Sequence, residues 1–321
     1  MRWSTALTEA GITDPHVRRA YETQRRDVRK FAPHEYVAVR LLLPARLQPP
    51  VIAAVAYMHR TDELIDAGEV SVRQAALRSW AEQTAPALEA DDPPADHTLL
   101  TLWDTVRQHP HMAERVRAFL TGAPVEAAWT GFDTEAGFQD YVDRYALPAL
   151  MLTASLLAPR PEAGADDPFA AGCRALIEGW QRCDFLADLA EDVTQGRIGV
   201  PQDELVRHGL KFEDLRSKSQ ACVPALEGLV RAQTDRAETA LAACRDLPSL
   251  VAADYRPFLD ALIDVQELRL AAVRRNGGDL MYRETGPAPV ASVAVLTRQF
   301  RRAWSHRRRR SQDISSRTPI R

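Results

Sequence analysis

The sequence predicts an all-α protein folded as one helical domain. Apolar residues recur at helical spacing along almost the whole chain. No run of alternating apolar and polar residues stands between hairpin signals. Acidic caps and prolines fall where helices should begin, and Gly or Pro clusters fall where they should stop. With 321 residues, 45% of them hydrophobic, the chain can bury a sizeable core.

The elements follow in order. Asp14-Pro15 places a cap before a proline at the first helical position, so a helix should run from there to Lys30. Pro44 and Pro49-Pro50 punctuate the next stretch. A helix over Val51–Asp66 should follow, then one over Ser71–Leu88 and a loop at Asp91-Asp92-Pro93-Pro94. Helices are predicted over His97–Gln108, Met112–Trp129 and Thr134–Leu157, and a loop over Arg160–Pro168. One long helix should span Phe169–Thr194 and stop at Gly196-Arg197-Ile198-Gly199-Val200-Pro201. Another starts at Gln202, and two or three more reach Arg275, where Asn276-Gly277-Gly278 breaks the pattern. No internal repeat is visible, and neither loop is long enough to link independent cores.

Four cysteines without Cys-x-x-Cys spacing read as free thiols of a reducing compartment. The N-terminus has no apolar signal-peptide stretch, and the longest uncharged apolar run, Tyr145–Pro159, is short of the ~18 residues of a membrane span. A soluble cytoplasmic protein is expected. Between Arg298 and Arg321 nine arginines and one acid give +8, so residues 1–297 carry −11 of the formal total of −3. The division is therefore a domain over 1–297 and a basic, disordered, solvated tail over 298–321. Such a tail suits a peripheral contact with an anionic membrane; no nucleic-acid partner is expected.

Two acidic segments carry the chemistry. Asp62-Glu63-Leu64-Ile65-Asp66 and the stretch from Asp184 through Asp188 to Asp192 both space aspartates four apart in apolar, helix-forming sequence. On a helix such residues stack on one face, at a cost of roughly 0.2–0.5 kcal/mol per like-charged pair. A bridging cation reverses that cost, and hard carboxylate oxygens suit Mg²⁺ completed by substrate phosphates. A single Asp-x-x-x-Asp is usually a solvated helix face. Here the aspartates lie among apolar residues, basic partners one turn away from Asp188 and Asp192 are scarce, and the pattern occurs twice.

The residues around these segments resemble squalene and phytoene synthases. Asp188-Leu-Ala-Glu-Asp192, with Gln181 upstream and Gly196-Arg197-Ile198-Gly199-Val200-Pro201 downstream, is similar to that family's second aspartate motif, Gln-x-x-Asn-x-x-x-Asp-x-x-Glu-Asp followed by Gly-Arg-x-Tyr-hydrophobic-Pro. Leu41-Leu42-Leu43-Pro44 and the helix ending in Asp62–Asp66 resemble the first. Phe119-x-x-Gly122 and Phe138-x-x-Tyr141 stand where the family has Phe-x-x-Gly and Leu-x-x-Tyr. The resemblance implies an isoprenoid-synthase-like helical bundle around a central cavity and Mg²⁺-dependent binding of a prenyl diphosphate. It makes Asp62, Asp66, Asp188 and Asp192 the metal carboxylates and puts Gln181, Arg197 and Arg60 near the diphosphate. Ionising an allylic diphosphate leaves a carbocation that needs a dry, apolar cavity, for which Tyr145–Leu157 can form a wall and Tyr57, Tyr141, Tyr145 and Phe185 can offer ring faces.

Departures from the pattern shape the functional reading. Asp184 replaces Asn, Gly199 replaces Tyr, Ala187 replaces an Arg, Glu126 replaces Asp, and Glu35-Tyr36 replaces Ser-Phe. Leu147 and Leu150 occupy a helix where the family often has glycines, which predicts a narrower site. These changes favour transfer of one short prenyl group to a small-molecule acceptor, an aromatic ring in specialised metabolism, with Asp184 or His59 taking the proton lost. The alternative is head-to-head coupling of two prenyl diphosphates. A non-catalytic assembly protein is the remote third, since it should have lost the aspartates.

Overall fold

A computed structural model describes residues 2–65, 68–158 and 167–316, and contains no strand among them. In chain order the helices are α1 (Trp3–Glu9), α2 (Pro15–Phe31), α3 (Pro33–Leu42), α4 (Gln48–Ile65), α5 (Val70–Glu89), α6 (His97–Gln108), α7 (Met112–Ala127) and α8 (Glu135–Tyr141). A five-residue π turn over Val142–Ala146 joins α8 to α9 (Leu147–Ala154). Then come α10 (Pro168–Ala187), α11 (Leu189–Thr194), α12 (Gln202–Arg207), α13 (Phe212–Arg216), α14 (Val223–Ala243), α15 (Arg256–Asn276) and α16 (Pro289–Ser316).

Local chemistry explains where several begin. The carboxylates of Asp14 and Asp96 accept two backbone N–H bonds each at the starts of α2 and α6, and Thr134 and Asp167 cap α8 and α10. α4 starts three residues earlier than expected, because Pro49 and Pro50 lie in its first turn, where a missing N–H costs nothing. Its first ten residues are nearly all buried, so this part of α4 is enclosed on every side and lies at the centre, against α2, α5, α6 and α9. α9 packs against both α4 and α10, and α10 lies along α14.

Three expectations change. The predicted helix Thr134–Leu157 is divided by the π turn, and Phe169–Thr194 is divided at Asp188. Of the segment expected as a disordered tail over 298–321, the described part up to Ser316 is helical, continuing α16, which packs on α15; residues 317–321 lie outside the described residues. The reason is a stripe one turn apart, Val295, Gln299 and Ala303, which is buried there. The Arg160–Pro168 loop lies largely outside the described residues. Among the described residues no helix is long and apolar enough to cross a membrane.

Candidate active site

Asp62 lies in the last turn of α4, half-buried. The Tyr145 hydroxyl donates to its Oδ1 at 3.0 Å. Tyr145 reaches there from the π turn, whose extra residue rotates the side chain relative to a regular helix. α7 can approach this turn because it carries Gly122: a Cβ at that position would lie 1.7 Å from the Arg144 carbonyl oxygen. Burial, then the Asp62 and Glu126 carboxylates, push the Tyr145 phenol well above its ordinary range, so it remains a proton donor. Asp66 lies outside the described residues.

The second segment does not form one stack of three carboxylates. Asp188 ends α10 with φ −95° and ψ 6°, and α11 begins directly after it. Asp184 is drawn into an ion pair with Arg269 of α15. Asp192 pairs with Arg197, Nε to Oδ1 at 3.0 Å. A left-handed residue creates that second pair: Gly196, φ +78°, reverses the chain so that the Arg197 N–H bonds the Asp192 carbonyl at 3.1 Å. The Arg197 guanidinium also lies over the Trp129 ring, 5.2 Å from its centroid. Asp188 lies between the two pairs in sequence. Burial and the charges of Asp192, Glu284 and Glu191 raise its pKa to about 6, against a smaller pull from Arg197. Among the described residues no three His, Cys, Asp or Glu side chains lie close enough to hold a metal ion by themselves.

Aromatic rings connect the two segments. Tyr145 is 5.5 Å from Tyr141, and Tyr141 is 5.9 Å from Phe185, which neighbours Asp184 on α10. Phe185 also stacks on Trp129 at 5.3 Å. Gly199 makes room for that ring, since a Cβ there would lie 2.1 Å from its Cδ1. Leu147 and Leu150, one turn apart on α9, are half-buried against the core.

Other expected site residues fall elsewhere. Tyr57 is a core residue: it is fully buried, stacks on Trp80 and donates to Thr84 Oγ1 at 3.3 Å. Arg60 is exposed and bonded to Glu63, and lies about 200° around the helix from Asp62. His59 stacks on Phe31 at 3.4 Å, with Nε2 3.5 Å from Glu63. Gln181 is half-buried on α10, one turn before Asp184 and Phe185.

A family model for squalene/phytoene synthase matches residues 28–308, from α2 through both acidic segments into α16. The chain belongs to the squalene/phytoene synthase family. Members of this family are prenyltransferases. The chain is 28% identical over 338 residues to the bifunctional protein CrtB/UppS of Streptomyces coelicolor, covering 99% of this chain and 58% of that protein. It is 26% identical over 190 residues to a chloroplastic phytoene synthase of Cucumis melo, covering 58% of this chain and 44% of that protein. The chain thus spans about half the length of these curated relatives. In fold it is similar to the squalene synthase HpnC from Alicyclobacillus acidocaldarius, with TM-score 0.72 and 24% identity over 84% of this chain and 98% of that one. A dehydrosqualene synthase in complex with ligand gives TM-score 0.74 and 22% identity over 88% and 96%.

Within this squalene/phytoene synthase fold, sequence reasoning missed Arg269, which is far from Asp184 in the chain and pairs with it only once α15 is placed. Burial lowers the pKa of Arg269 below its ordinary value, against smaller opposing effects of Cys183 and Glu35. The π turn also gave no signal, because one added residue leaves local periodicity almost unchanged.

Proposed function

We propose that this chain couples two prenyl diphosphates head to head, ionising an allylic donor between Asp62 and the Asp188–Asp192 segment. The observation that carries the reading is the family match across residues 28–308, which includes both segments, together with relatives described as phytoene synthases. The narrower transfer to an aromatic acceptor loses support at Asp184. That carboxylate is committed to Arg269 and is a poor candidate to collect a proton. Leu147 and Leu150 are what still speak for a single-donor reaction, because they fill space where the resemblance has glycines.

The family implies a divalent metal, and the residues fit one. Asp188 is held near pKa 6 by burial and surrounding acids, a carboxylate that a hard cation would relieve. With no three-donor cluster among the described residues, phosphate oxygens of the substrate would complete the coordination, as Mg²⁺ usually requires. Asp62, Asp66, Asp188 and Asp192 would hold it, and when bound it supplies charge neutralisation for the departing diphosphate.

The chain's own groups do the rest. Tyr145 donates to Asp62 and fixes the carboxylate's orientation. Arg197, held over Trp129 and against Asp192, is a fixed positive charge for the leaving group. Tyr141, Tyr145 and Phe185 offer ring faces to the cation, each worth about 0.5–2 kcal/mol. Leu147 and Leu150 keep the neighbouring wall apolar, which slows quenching by water.

Incubation with Mg²⁺ and farnesyl or geranylgeranyl diphosphate should release pyrophosphate and give a symmetric C30 or C40 product. Turnover of dimethylallyl or geranyl diphosphate only when an aromatic acceptor is added would overturn the coupling reading in favour of the second. Independently of turnover, Mg²⁺ with inorganic pyrophosphate should raise the melting temperature, and Asp188→Asn should abolish that rise.

A further inference from the structure

We infer that the outward face of α16 seats the protein on an anionic lipid bilayer. The helix has two faces. One turns Val295, Gln299 and Ala303 inward, each at most 6% exposed. The opposite face, in helical register, presents Val290, Val293, Phe300 and Trp304, which are 83%, 62%, 37% and 47% exposed. Of the eight large hydrophobic side chains exposed among the described residues, these make four. A single exposed leucine or valine needs no explanation, but half the exposed apolar side chains on one helix face does.

Charge identifies the occupant. Arg298 and Arg302, at the inner edge, are neutralised by Asp264 at 2.6 Å and Asp260 at 3.6 Å. Arg301 and Arg308 lie on the outward side, and neither pairs with a carboxylate among the described residues. Arg308 rests on the Trp304 ring, 3.7 Å from its centroid. A tryptophan beside arginines on an apolar helix face is the composition of an interfacial helix: the rings and valines enter the headgroup–acyl boundary while guanidinium groups meet lipid phosphates. A nucleic-acid backbone would use the arginines but has nothing to offer Val290 and Val293. The inference goes beyond the coupling reaction, and its test involves no substrate.

The full chain is mixed with vesicles of phosphatidylcholine alone or with phosphatidylglycerol, and sedimented. It should sediment with the anionic vesicles, less so as salt rises, and stay in solution with the neutral ones. The double variants Phe300→Ala/Trp304→Ala and Arg301→Glu/Arg308→Glu should each lose roughly tenfold or more in vesicle affinity, with melting temperatures near the parent's because these side chains are exposed. Brominated lipid should quench the parent's tryptophan fluorescence more than that of Trp304→Phe, a replacement that keeps an aromatic ring on the face. No sedimentation with anionic vesicles would overturn the inference. So would equal binding by the double variants, tighter binding to duplex DNA than to vesicles, or quenching unchanged in Trp304→Phe.

Discussion

At the scale of single residues, the hydrogen bond from Tyr145 to Asp62 separates chemistry from packing. Tyr145→Phe keeps the ring against Phe119 and Tyr141 and removes only the donor. A hydrogen bond to a charged group contributes about 1.5–3 kcal/mol to stability, so the melting temperature should fall by several degrees, and the loss of the group that orients Asp62 should lower kcat roughly 10- to 100-fold at temperatures where the variant is fully folded. Steady-state pyrophosphate release read beside thermal unfolding checks this; an unchanged kcat would remove Tyr145 from the site. Gly199 makes the opposite case. A methyl group there meets the Phe185 ring, which is boxed by Trp129, Phe132 and Tyr141. Gly199→Ala should cost about 1–3 kcal/mol in urea unfolding, with part of the loss recovered by Phe185→Leu. Failure of that rescue would mean that the ring is not what the methyl group strikes.

At the scale of elements, the site depends on where helices break. The π turn aims Tyr145, and α7 approaches it only because Gly122 has no side chain. Gly122→Ala brings a carbon against backbone, which yields less than a side chain, so it should destabilise by roughly 2–4 kcal/mol and reduce kcat more than Tyr145→Phe does. A parent-like melting temperature would rule out the close approach. The same breaks mark what could be read from sequence. α6 matched its expected bounds because Asp96 caps it and a Pro follows its end, and the stop at Gly196 was legible because only glycine takes a left-handed turn so readily. The division at Asp188 was hidden, because Asp-x-x-x-Asp fits an unbroken helix equally well. α16 was misread for a physical reason: its buried stripe includes a glutamine and an alanine, a weak apolar signal beside a run of arginines. Arg269 was illegible because nothing local distinguishes it from any other arginine on a helix.

At the scale of the whole molecule, a buried ionic network holds the site-bearing helices in register. Arg182 of α10, 4% exposed, bonds Glu178 of its own helix, Glu135 of α8 and Gln233 of α14, and lies over the Phe138 ring. Arg236 of α14 extends it to Glu204 of α12. Tyr141 ends α8 and Asp184 rides on α10, so the network fixes both sides of the aromatic bridge. Burial alone would raise the Glu135 and Glu178 carboxyls, but the bonds from Arg182 and Gln139 outweigh it and leave both below their ordinary 4.5. A carboxylate whose pKa is depressed by folding stabilises the native state above its unfolded value, and that stability is lost as pH falls through the folded value. The contribution of these two carboxylates should therefore be complete above about pH 5 and be lost progressively in acid. Glu178→Gln leaves Arg182 only Glu135 as a charged partner. It should cost roughly 1–3 kcal/mol at neutral pH and flatten the acid limb of the stability curve. Urea unfolding across pH reads both effects at once. A variant that matches the parent at neutral pH and loses stability just as steeply in acid would show that the network is dispensable, and that packing of α10 along α14 holds the site without it.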